Sequence, residues 1–316
     1  MSEHDVVVIG GGLAGSTAAL FAARLGRTTV VLNSGLPGGQ LLNIGKIEDF
    51  PGFPAGVVGF ELCPSVQEQA LEAGATFQMS EAKSLDRSGD RWNVHTTGDD
   101  LSAGSVIVAT GSRPKALGIP GEEKFTGMGV SHCASCDGPL FRDRTVGVVG
   151  GGDSALQEAL ELTIHVPKVI LFHRGNAFTA QNNYQNRVVS SPQIEVRFGA
   201  VLEEVMGETS VAVVRVRDVA TGDKSEVELG GLFVYVGGAP HTEFLGDLVA
   251  LDHHGRIHTD SWMRTDLEGL LAAGDVRADS AAQAVTVAGD GATAAIAAHR
   301  YLTNGAWKEA SAAAGA

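Results

Sequence analysis

The sequence predicts an α/β fold in which two similar domains each contain a parallel β-sheet flanked by helices. Two segments support this prediction, because each consists of an apolar run, a glycine-rich turn, a helical pattern and a second apolar run. The apolar runs that begin them cover residues 5–9 and 145–149. Such runs are typical of parallel strands, since both faces of these strands are buried. Each segment therefore predicts a βαβ unit, and the repetition predicts two domains of similar architecture.

The remaining elements follow from the spacing of the apolar residues. In the first unit, alanine and leucine recur at helical spacing over residues 16–25, and residues 28–32 form the next strand. In the second unit, the strand after the helix covers residues 168–172. Near the C-terminus, a strand at residues 270–276 precedes a long alanine-rich helix over residues 281–302.

Two segments rich in glycine and proline predict where one domain interrupts the other. Each segment follows an apolar strand. The first of these strands ends within residues 106–111, and the second lies within residues 232–240. Glycine and proline clusters are typical of turns and linkers between domains. We therefore expect residues 1–113 and 241–316 to form one discontinuous domain and residues 114–240 to form the second.

Composition and charge exclude several classes of protein. The chain has 316 residues and is 44% hydrophobic, which is ample for two buried cores. Its net charge of −14, with no cluster of lysine and arginine, argues against nucleic-acid binding. No uncharged apolar stretch approaches the roughly 20 residues that span a bilayer, and the acidic N-terminus lacks the features of a signal peptide. We expect a cytoplasmic protein without membrane contact.

The first glycine motif is Gly10-x-Gly12-x-x-Gly15, between a strand and a helix. In this context Gly10 permits a tight turn, Gly12 lets a pyrophosphate approach the backbone, and Gly15 allows close packing of helix on strand. The next strand ends in Asn33, where an acidic residue is usual, and its amide can still hydrogen-bond a ribose hydroxyl. The motif predicts a dinucleotide site; the alternative is a glycine-rich turn without a ligand.

The second glycine motif is Gly150-x-Gly152-x-x-Ala155, in the same context. Taken alone, it predicts a nicotinamide nucleotide site. The alternative is a domain that has kept the fold but no longer binds a nucleotide.

The third motif is a cysteine pair, Cys133-x-x-Cys136, followed by Asp137. Two thiols at this spacing can form a disulfide, and a helix start favours the thiolate. Asp137 or His132 could move a proton to or from a thiol. The alternative is a capping carboxylate beside two buried cysteines. We expect no metal site, because zinc would need further ligands, and we expect Cys63 to be a core residue.

The fourth motif is Ala273-Gly274-Asp275-Val276 at a strand end. Asp275 could accept a hydrogen bond from a ribitol hydroxyl, and the following helix could offer its N-terminus. Many strands end in Gly-Asp by chance, so this motif supports a cofactor site only in combination with the other three motifs.

In chain order, the segments GGGLAG, PGGQL, ATG, CASCDG, GGGDSA and AAGDV resemble the low-molecular-weight thioredoxin reductase family over nearly the whole chain. The resemblance implies two Rossmann-like dinucleotide-binding domains of three-layer ββα/βα type, FAD in the discontinuous domain, and a homodimer. It also implies that Cys136 is the flavin-proximal sulfur, that Cys133 exchanges with substrate and that Asp137 is the acid. The FAD-binding residues that we expect are Gly10, Gly12, Leu13, Ala14, Gly15, Asn33, Gly39, Gln40, Asp49, Thr110, Gly111, Gly274, Asp275, Gln283 and Ala284.

The chain departs from NADPH-using members of this family after the second glycine motif. Those members have His-Arg-Arg and a further arginine that hold the 2′-phosphate, whereas this chain has Gly175 and Thr179 at two of the arginine positions and keeps only Arg174. Charged hydrogen bonds contribute about 1.5–3 kcal/mol each, so the loss of two arginines would strongly weaken the binding of NADPH. Gln157 and Ala282 also replace residues that are usually charged in the family.

These departures resemble the NADPH-independent branch, which includes the dithiol oxidases that close disulfides in gliotoxin, holomycin and romidepsin. The resemblance implies an FAD-dependent oxidase that forms a disulfide in a small-molecule dithiol, with O2 as terminal acceptor. The alternatives are an NADPH- or ferredoxin-dependent thioredoxin reductase and, from a different class, a flavin-binding scaffold without catalysis. Thioredoxin is thus a second candidate partner, and NADPH is doubtful.

Overall fold

The computed structural model describes residues 1–307, so the last nine residues of the predicted discontinuous domain lie outside the described part. The chain forms two compact units. Unit 1 comprises Met1–Arg113 and the chain from Ala239 onward, and unit 2 comprises Pro114–Gly238. Each unit contains a parallel sheet at its glycine motif, which confirms the predicted α/β fold.

The sheet of unit 1 has the order β3-β2-β1-β6-β5-β4, with β17 also paired to β6. Strands β1, β2, β3, β6 and β17 are parallel, while β4 and β5 continue the sheet in antiparallel fashion. The strands, numbered along the chain, are β1 (Ser2–Ile9), β2 (Thr29–Asn33), β3 (Thr76–Met79), β4 (Ala82–Ser88), β5 (Arg91–Thr96), β6 (Leu101–Val108) and β17 (Leu270–Ala272).

Small side chains let two helices pack closely on one face of this sheet. Alanines of α1 (Leu13–Arg24) and α7 (Ala284–Asn304) form a buried cluster with β1 and β6. A Cβ on Gly291 of α7 would lie 2.1 Å from the carbonyl oxygen of Ala14, so this glycine is required by the contact. The other face is covered by a second apolar cluster that includes Trp92. Unit 1 also contains α2 (Gly59–Glu72) and short 3₁₀ turns at Gly39–Asn43 and Glu243–Leu245.

Unit 2 has three layers. Its central sheet has the order β11-β10-β9-β15-β8, and every pair is parallel. One apolar cluster joins this sheet to helices, and a second joins it to an antiparallel three-stranded sheet, β12-β13-β14. The strands are β8 (Val130–Ser131), β9 (Thr145–Gly150), β10 (Lys168–His173), β11 (Ile194–Phe198), β12 (Ala200–Met206), β13 (Val213–Asp218), β14 (Lys224–Glu228) and β15 (Gly231–Tyr235).

The helices of unit 2 are mostly short. They are α3 (Glu122–Phe125), α4 (Ala134–Asp137), α5 (Asp153–Leu162) and α6 (Asn182–Ser190), with a 3₁₀ turn at Gly138–Phe141. Where the chain passes from one unit to the other, two short strands pair with each other, β7 (Ser112–Pro114) and β16 (Gly238–Pro240). Among residues 1–307, none of the helices is both long and apolar enough to cross a bilayer.

Candidate active site

A cavity in unit 1 lies at the carboxyl ends of its parallel strands. Its volume is about 540 Å³, which lies within the range of roughly 300–1,000 Å³ that is usual for ligand sites. Ligands of open parallel sheets bind at this edge because the loops and helix starts converge there. The cavity is lined by residues 9–14, 32–36, 38–41, 80–82, 109–113, 273–275 and 282–284, with His241, Glu243, Phe244 and Val287.

The first glycine motif forms one wall of the cavity, and its three glycines serve different purposes. Gly10 has φ +109°, and a Cβ there would lie 2.4 Å from the carbonyl oxygen of Ala109. A Cβ on Gly15 would lie 1.8 Å from the Gly10 oxygen, so Gly15 allows α1 to approach β1. Gly12, by contrast, faces open space and precedes α1 without a side-chain cap. The first N–H groups of α1 are therefore available to an anion.

A second helix start lies in the same cavity. Gln283 precedes α7 and does not cap it with its side chain, and both Gln283 and Ala284 line the cavity. Asp275 lines it as well and accepts a hydrogen bond from the Ser280 hydroxyl at 3.0 Å. Burial raises the pKa of the Asp275 carboxyl.

A buried ion pair supports the loop that presents Gly274 and Asp275. Asp290 of α7 accepts hydrogen bonds from the N–H of Gly274 at 3.1 Å and from Arg277 Nε at 2.6 Å. A second bond joins Arg277 Nη2 to the other Asp290 oxygen at 3.1 Å. Asp290 was not predicted from the sequence, since an aspartate inside an alanine-rich helix gives no signal of a contact to a distant loop.

Two predicted cofactor residues of the glycine-rich wall use their amides to shape it. The Asn33 Oδ1 accepts the N–H of Gly11 at 3.0 Å, and its Nδ2 donates to the Gly35 oxygen. Gln40 Nε2 donates to the carbonyl oxygen of Ser112 at 3.2 Å. Both side chains thus join separate loops around the cavity.

The other predicted residues divide into those that line the cavity and those that do not. Gly39, Thr110 and Gly111 line it, and the Thr110 hydroxyl donates to the His241 oxygen at 2.7 Å. Asp49 is exposed and does not belong to the lining. Residues 80–82 also line the cavity and were not predicted, although they follow β3, which runs parallel to β2 and therefore ends at this edge.

In unit 2, the cysteine pair forms a disulfide at the start of α4. The Cys133–Cys136 bond has an S–S length of 2.02 Å. Cys133 caps α4, and its Sγ accepts the N–H of Cys136 at 3.2 Å. Cys133 is half-buried and Cys136 is exposed, so the disulfide is accessible to thiol–disulfide exchange with another molecule.

The carboxyl group beside the pair is held by a buried serine. Ser131 donates its hydroxyl to Asp137 Oδ2 at 2.6 Å and accepts the N–H of Cys133 at 3.0 Å. This one hydroxyl therefore fixes Asp137 relative to the cysteine backbone. Ser131 was not predicted, because it precedes the motif and shows its role only through these contacts.

His132, the second candidate for proton transfer, contacts the backbone. Its Nδ1 lies 2.9 Å from the carbonyl oxygen of Val234. A carbonyl only accepts, so Nδ1 carries the proton, and neutral His132 has its free lone pair on Nε2.

Glu158 of α5 lies directly behind the disulfide and was also missed. It is buried, and its Oε2 accepts the N–H of Ala134 at 3.1 Å and the hydroxyl of Tyr235 at 3.2 Å. Burial raises the pKa of the Glu158 carboxyl to about 7. Burial and the adjacent Glu158 also raise the pKa of Tyr235.

The second glycine motif is packed against the segment that departs from the family pattern. The two ring nitrogens of His173 lie 3.1 Å from the oxygen of Gly150 and 2.9 Å from that of Ala177. Thr179 donates its backbone N–H to the Gly151 oxygen at 2.9 Å. Arg174 is exposed, and over residues 1–307 its side chain forms neither a hydrogen bond nor an ion pair. It is the one cation that the segment offers to a phosphate.

The chain matches the pyridine nucleotide-disulphide oxidoreductase family over residues 4–297. It belongs to this family. It is 40% identical to a thioredoxin reductase of Treponema pallidum, over 95% of this chain and 98% of the relative. It is 39% identical to a thioredoxin reductase of Mycolicibacterium smegmatis, over 95% of this chain and 96% of the relative. The crystal structure of Lactococcus lactis thioredoxin reductase has a TM-score of 0.92 and 39% identity, and the match covers 95% of this chain and 99% of that one.

These similarities confirm the resemblance at the level of the family. The chain is a thioredoxin reductase-like disulfide oxidoreductase, and FAD is the cofactor that its family implies. They favour the reductase, which sequence analysis placed second, over the dithiol oxidase, which it placed first.

Proposed function

We propose that this chain is an FAD-dependent disulfide reductase whose Cys133–Cys136 pair reduces the disulfide of a thioredoxin-like protein. The observation that carries the proposal is the disulfide itself. It lies at a helix start beside the hydrogen-bonded Asp137, in a chain similar over nearly its full length to thioredoxin reductases.

The cavity of unit 1 fits the cofactor. Gly12 leaves open space where a Cβ would obstruct a pyrophosphate, and the starts of α1 and α7 present N–H groups to it. The carboxyl of Asp275 suits a ribitol hydroxyl. FAD, when bound, supplies a two-electron carrier that exchanges electrons with nicotinamides and thiol–disulfide pairs.

The chain's own residues account for the exchange with the partner. In the reduced pair, the Cys133 thiolate attacks one sulfur of the partner disulfide and forms a mixed disulfide, while the other partner sulfur leaves as a thiolate. Cys136 then attacks Cys133 Sγ, which re-forms the enzyme disulfide and releases the second partner sulfur. Two electrons pass to the partner. Asp137, oriented by Ser131, supplies a proton to a departing thiolate and takes one from Cys136.

The experiment that tests the proposal uses the purified flavoprotein without oxygen. Reduced nicotinamides, NADPH and NADH in separate runs, are mixed with it while the flavin absorbance is followed, and oxidised thioredoxin, which carries the disulfide, is then added. The proposal predicts that at least one nicotinamide bleaches the flavin and that thioredoxin restores the colour. Bleaching without recovery on thioredoxin would contradict the partner, and bleaching by neither nicotinamide would contradict this donor class.

A second function is favoured by the segment after β10. With Gly175 and Thr179 in place of cations, Arg174 alone faces a 2′-phosphate, which suits an enzyme that does not use NADPH. The corresponding activity is the oxidation of a small dithiol, with O2 reduced to hydrogen peroxide. It predicts bleaching by a dithiol such as dithiothreitol but by no nicotinamide, and recovery with peroxide on admitting air.

The resemblance also implies a homodimer. Light scattering of the holoprotein tests it, and a mass near twice the 32.7 kDa of the chain is the expected result.

A further inference from the structure

A carboxyl group without a cationic partner lies behind the redox disulfide. We propose that Glu158 is a positioning residue that holds the first turn of α4 and whose charge sets how readily Cys133 becomes a thiolate. The proposal rests on the redox role proposed above, but it concerns the ionisation of the reduced pair and not the identity of the donor or the partner.

The geometry connects Glu158 to the pair through one residue. Its Oε2 accepts the N–H of Ala134, which follows Cys133 directly and is the first residue of α4. Ala134 is fully buried, so this N–H has no solvent alternative. The second bond to the carboxyl comes from Tyr235 on β15, so Glu158 ties the redox turn both to α5 and to the central sheet.

The surroundings of Glu158 contain no positive charge to balance it. Glu158 faces the N–H of Ala134 on α4 and the phenol of Tyr235 on β15. The charge of Asp137 also raises the pKa of this phenol. On its own helix, Glu161 adds a negative charge. Strands β9 and β10 pack apolar side chains against α5. In the part of the chain that is described, Glu158 forms no ion pair.

An unpaired buried carboxylate is unfavourable for stability, so its presence beside a reactive group suggests a functional role. Burial places the pKa of Glu158 at about 7, where its charge changes within the working range of a thiol enzyme. When ionised, it opposes a thiolate on Cys133, because two like charges close together disfavour each other. When protonated, it leaves the thiolate stabilised by the N–H of Cys136.

The test is the alkylation of the reduced holoenzyme by iodoacetamide, measured from pH 5 to 9, since the thiolate is the species that reacts. The variant Glu158→Gln keeps an oxygen for Ala134 and Tyr235 but removes the charge. We expect Cys133 to be alkylated about tenfold faster near pH 7.5, with the profile moved about one pH unit lower. Mass spectrometry of the digested protein shows which cysteine carries the label, so that alkylation of the buried Cys63 is counted separately.

Two further variants distinguish charge from structure. Glu161→Gln, on the same helix and with a side chain 28% exposed, is the matched control: it removes the smallest contribution to the raised pKa of Glu158, so it should slow the alkylation by less than twofold. Tyr235→Phe keeps the charge but removes a donor to the carboxylate, which favours the protonated form. It should therefore change the profile in the same direction as Glu158→Gln, by a smaller factor.

A Glu158→Gln profile within twofold of the wild type at every pH overturns the proposal. If that variant does not fold, an unchanged profile for Tyr235→Phe overturns it equally. Neither measurement uses a nicotinamide or thioredoxin, so a failure of the proposed function is seen separately in the flavin-bleaching experiment.

Discussion

The Arg277–Asp290 pair provides a quantitative test of how the cavity of unit 1 is held together. The two side chains are 15% and 9% exposed, and two hydrogen bonds of 2.6 and 3.1 Å join them. The change Asp290→Ala leaves the guanidinium buried without a partner and the N–H of Gly274 without its acceptor. Removing one member of a buried pair costs about 3–5 kcal/mol. For a unit of this size, that loss corresponds to a decrease of about 6–20 °C in Tm.

The assay follows thermal unfolding by tryptophan fluorescence. It reports on unit 1 specifically, because the chain's 3 tryptophans, Trp92, Trp262 and Trp307, all belong to that unit. Glu268→Ala is the control: its ion pair with Arg87 spans 3.8 Å and its side chain is 59% exposed, so its loss should cost less than about 1 kcal/mol.

A double variant tests the electrostatic origin of the effect. Arg277→Met with Asp290→Leu removes both charges, so it should be less destabilising than the sum of the two single changes. If Asp290→Ala lowers Tm by less than about 2 °C, the pair is not supporting the loop and the reasoning is refuted.

Three further predictions concern the redox turn and the cofactor wall. Because folding raises the pKa of Glu158 from 4.5 to about 7, wild-type stability should fall as pH rises from about 4.5 to 7. Glu158→Gln should lack this decrease and gain about 2–4 kcal/mol at pH 8 in urea unfolding, with no gain at pH 4.5. Ser131→Ala frees Asp137 and should slow thioredoxin reduction about tenfold with KM unchanged; an unaltered kcat would contradict its positioning role. Gly15→Ala forces a Cβ against the Gly10 oxygen, so the purified protein should contain little FAD, whereas full flavin content would contradict the packing argument.

Local patterns predicted the framework because they depend on neighbours in sequence. The apolar runs and the glycine spacing indicated β1, α1 and β2, and the long C-terminal helix was expected at residues 281–302 and is found at Ala284–Asn304. The ends differ by a few residues, since a helix start is fixed by backbone contacts. Gln283, for example, precedes α7 in extended conformation.

The contacts that tune the site could not be predicted in the same way. Glu158 reaches Ala134 across 24 positions, and Asp290 reaches Gly274 across 16. Both carboxylates belong to helices that the spacing of their apolar residues already predicts, so the sequence gives no separate signal for either carboxylate. Such side chains are placed by tertiary packing, which periodicity does not encode.

If the proposed function is right, Cys133–Cys136 is a redox centre that exchanges electrons with a bound flavin. An anaerobic titration of the holoenzyme with dithionite tests it most directly, because a flavin and a disulfide each accept two electrons. The wild type should take up four electrons per FAD, and Cys136→Ser, which cannot form the disulfide, should take up two. Uptake of two electrons by both proteins would show that the Cys133–Cys136 pair takes no part in the redox chemistry.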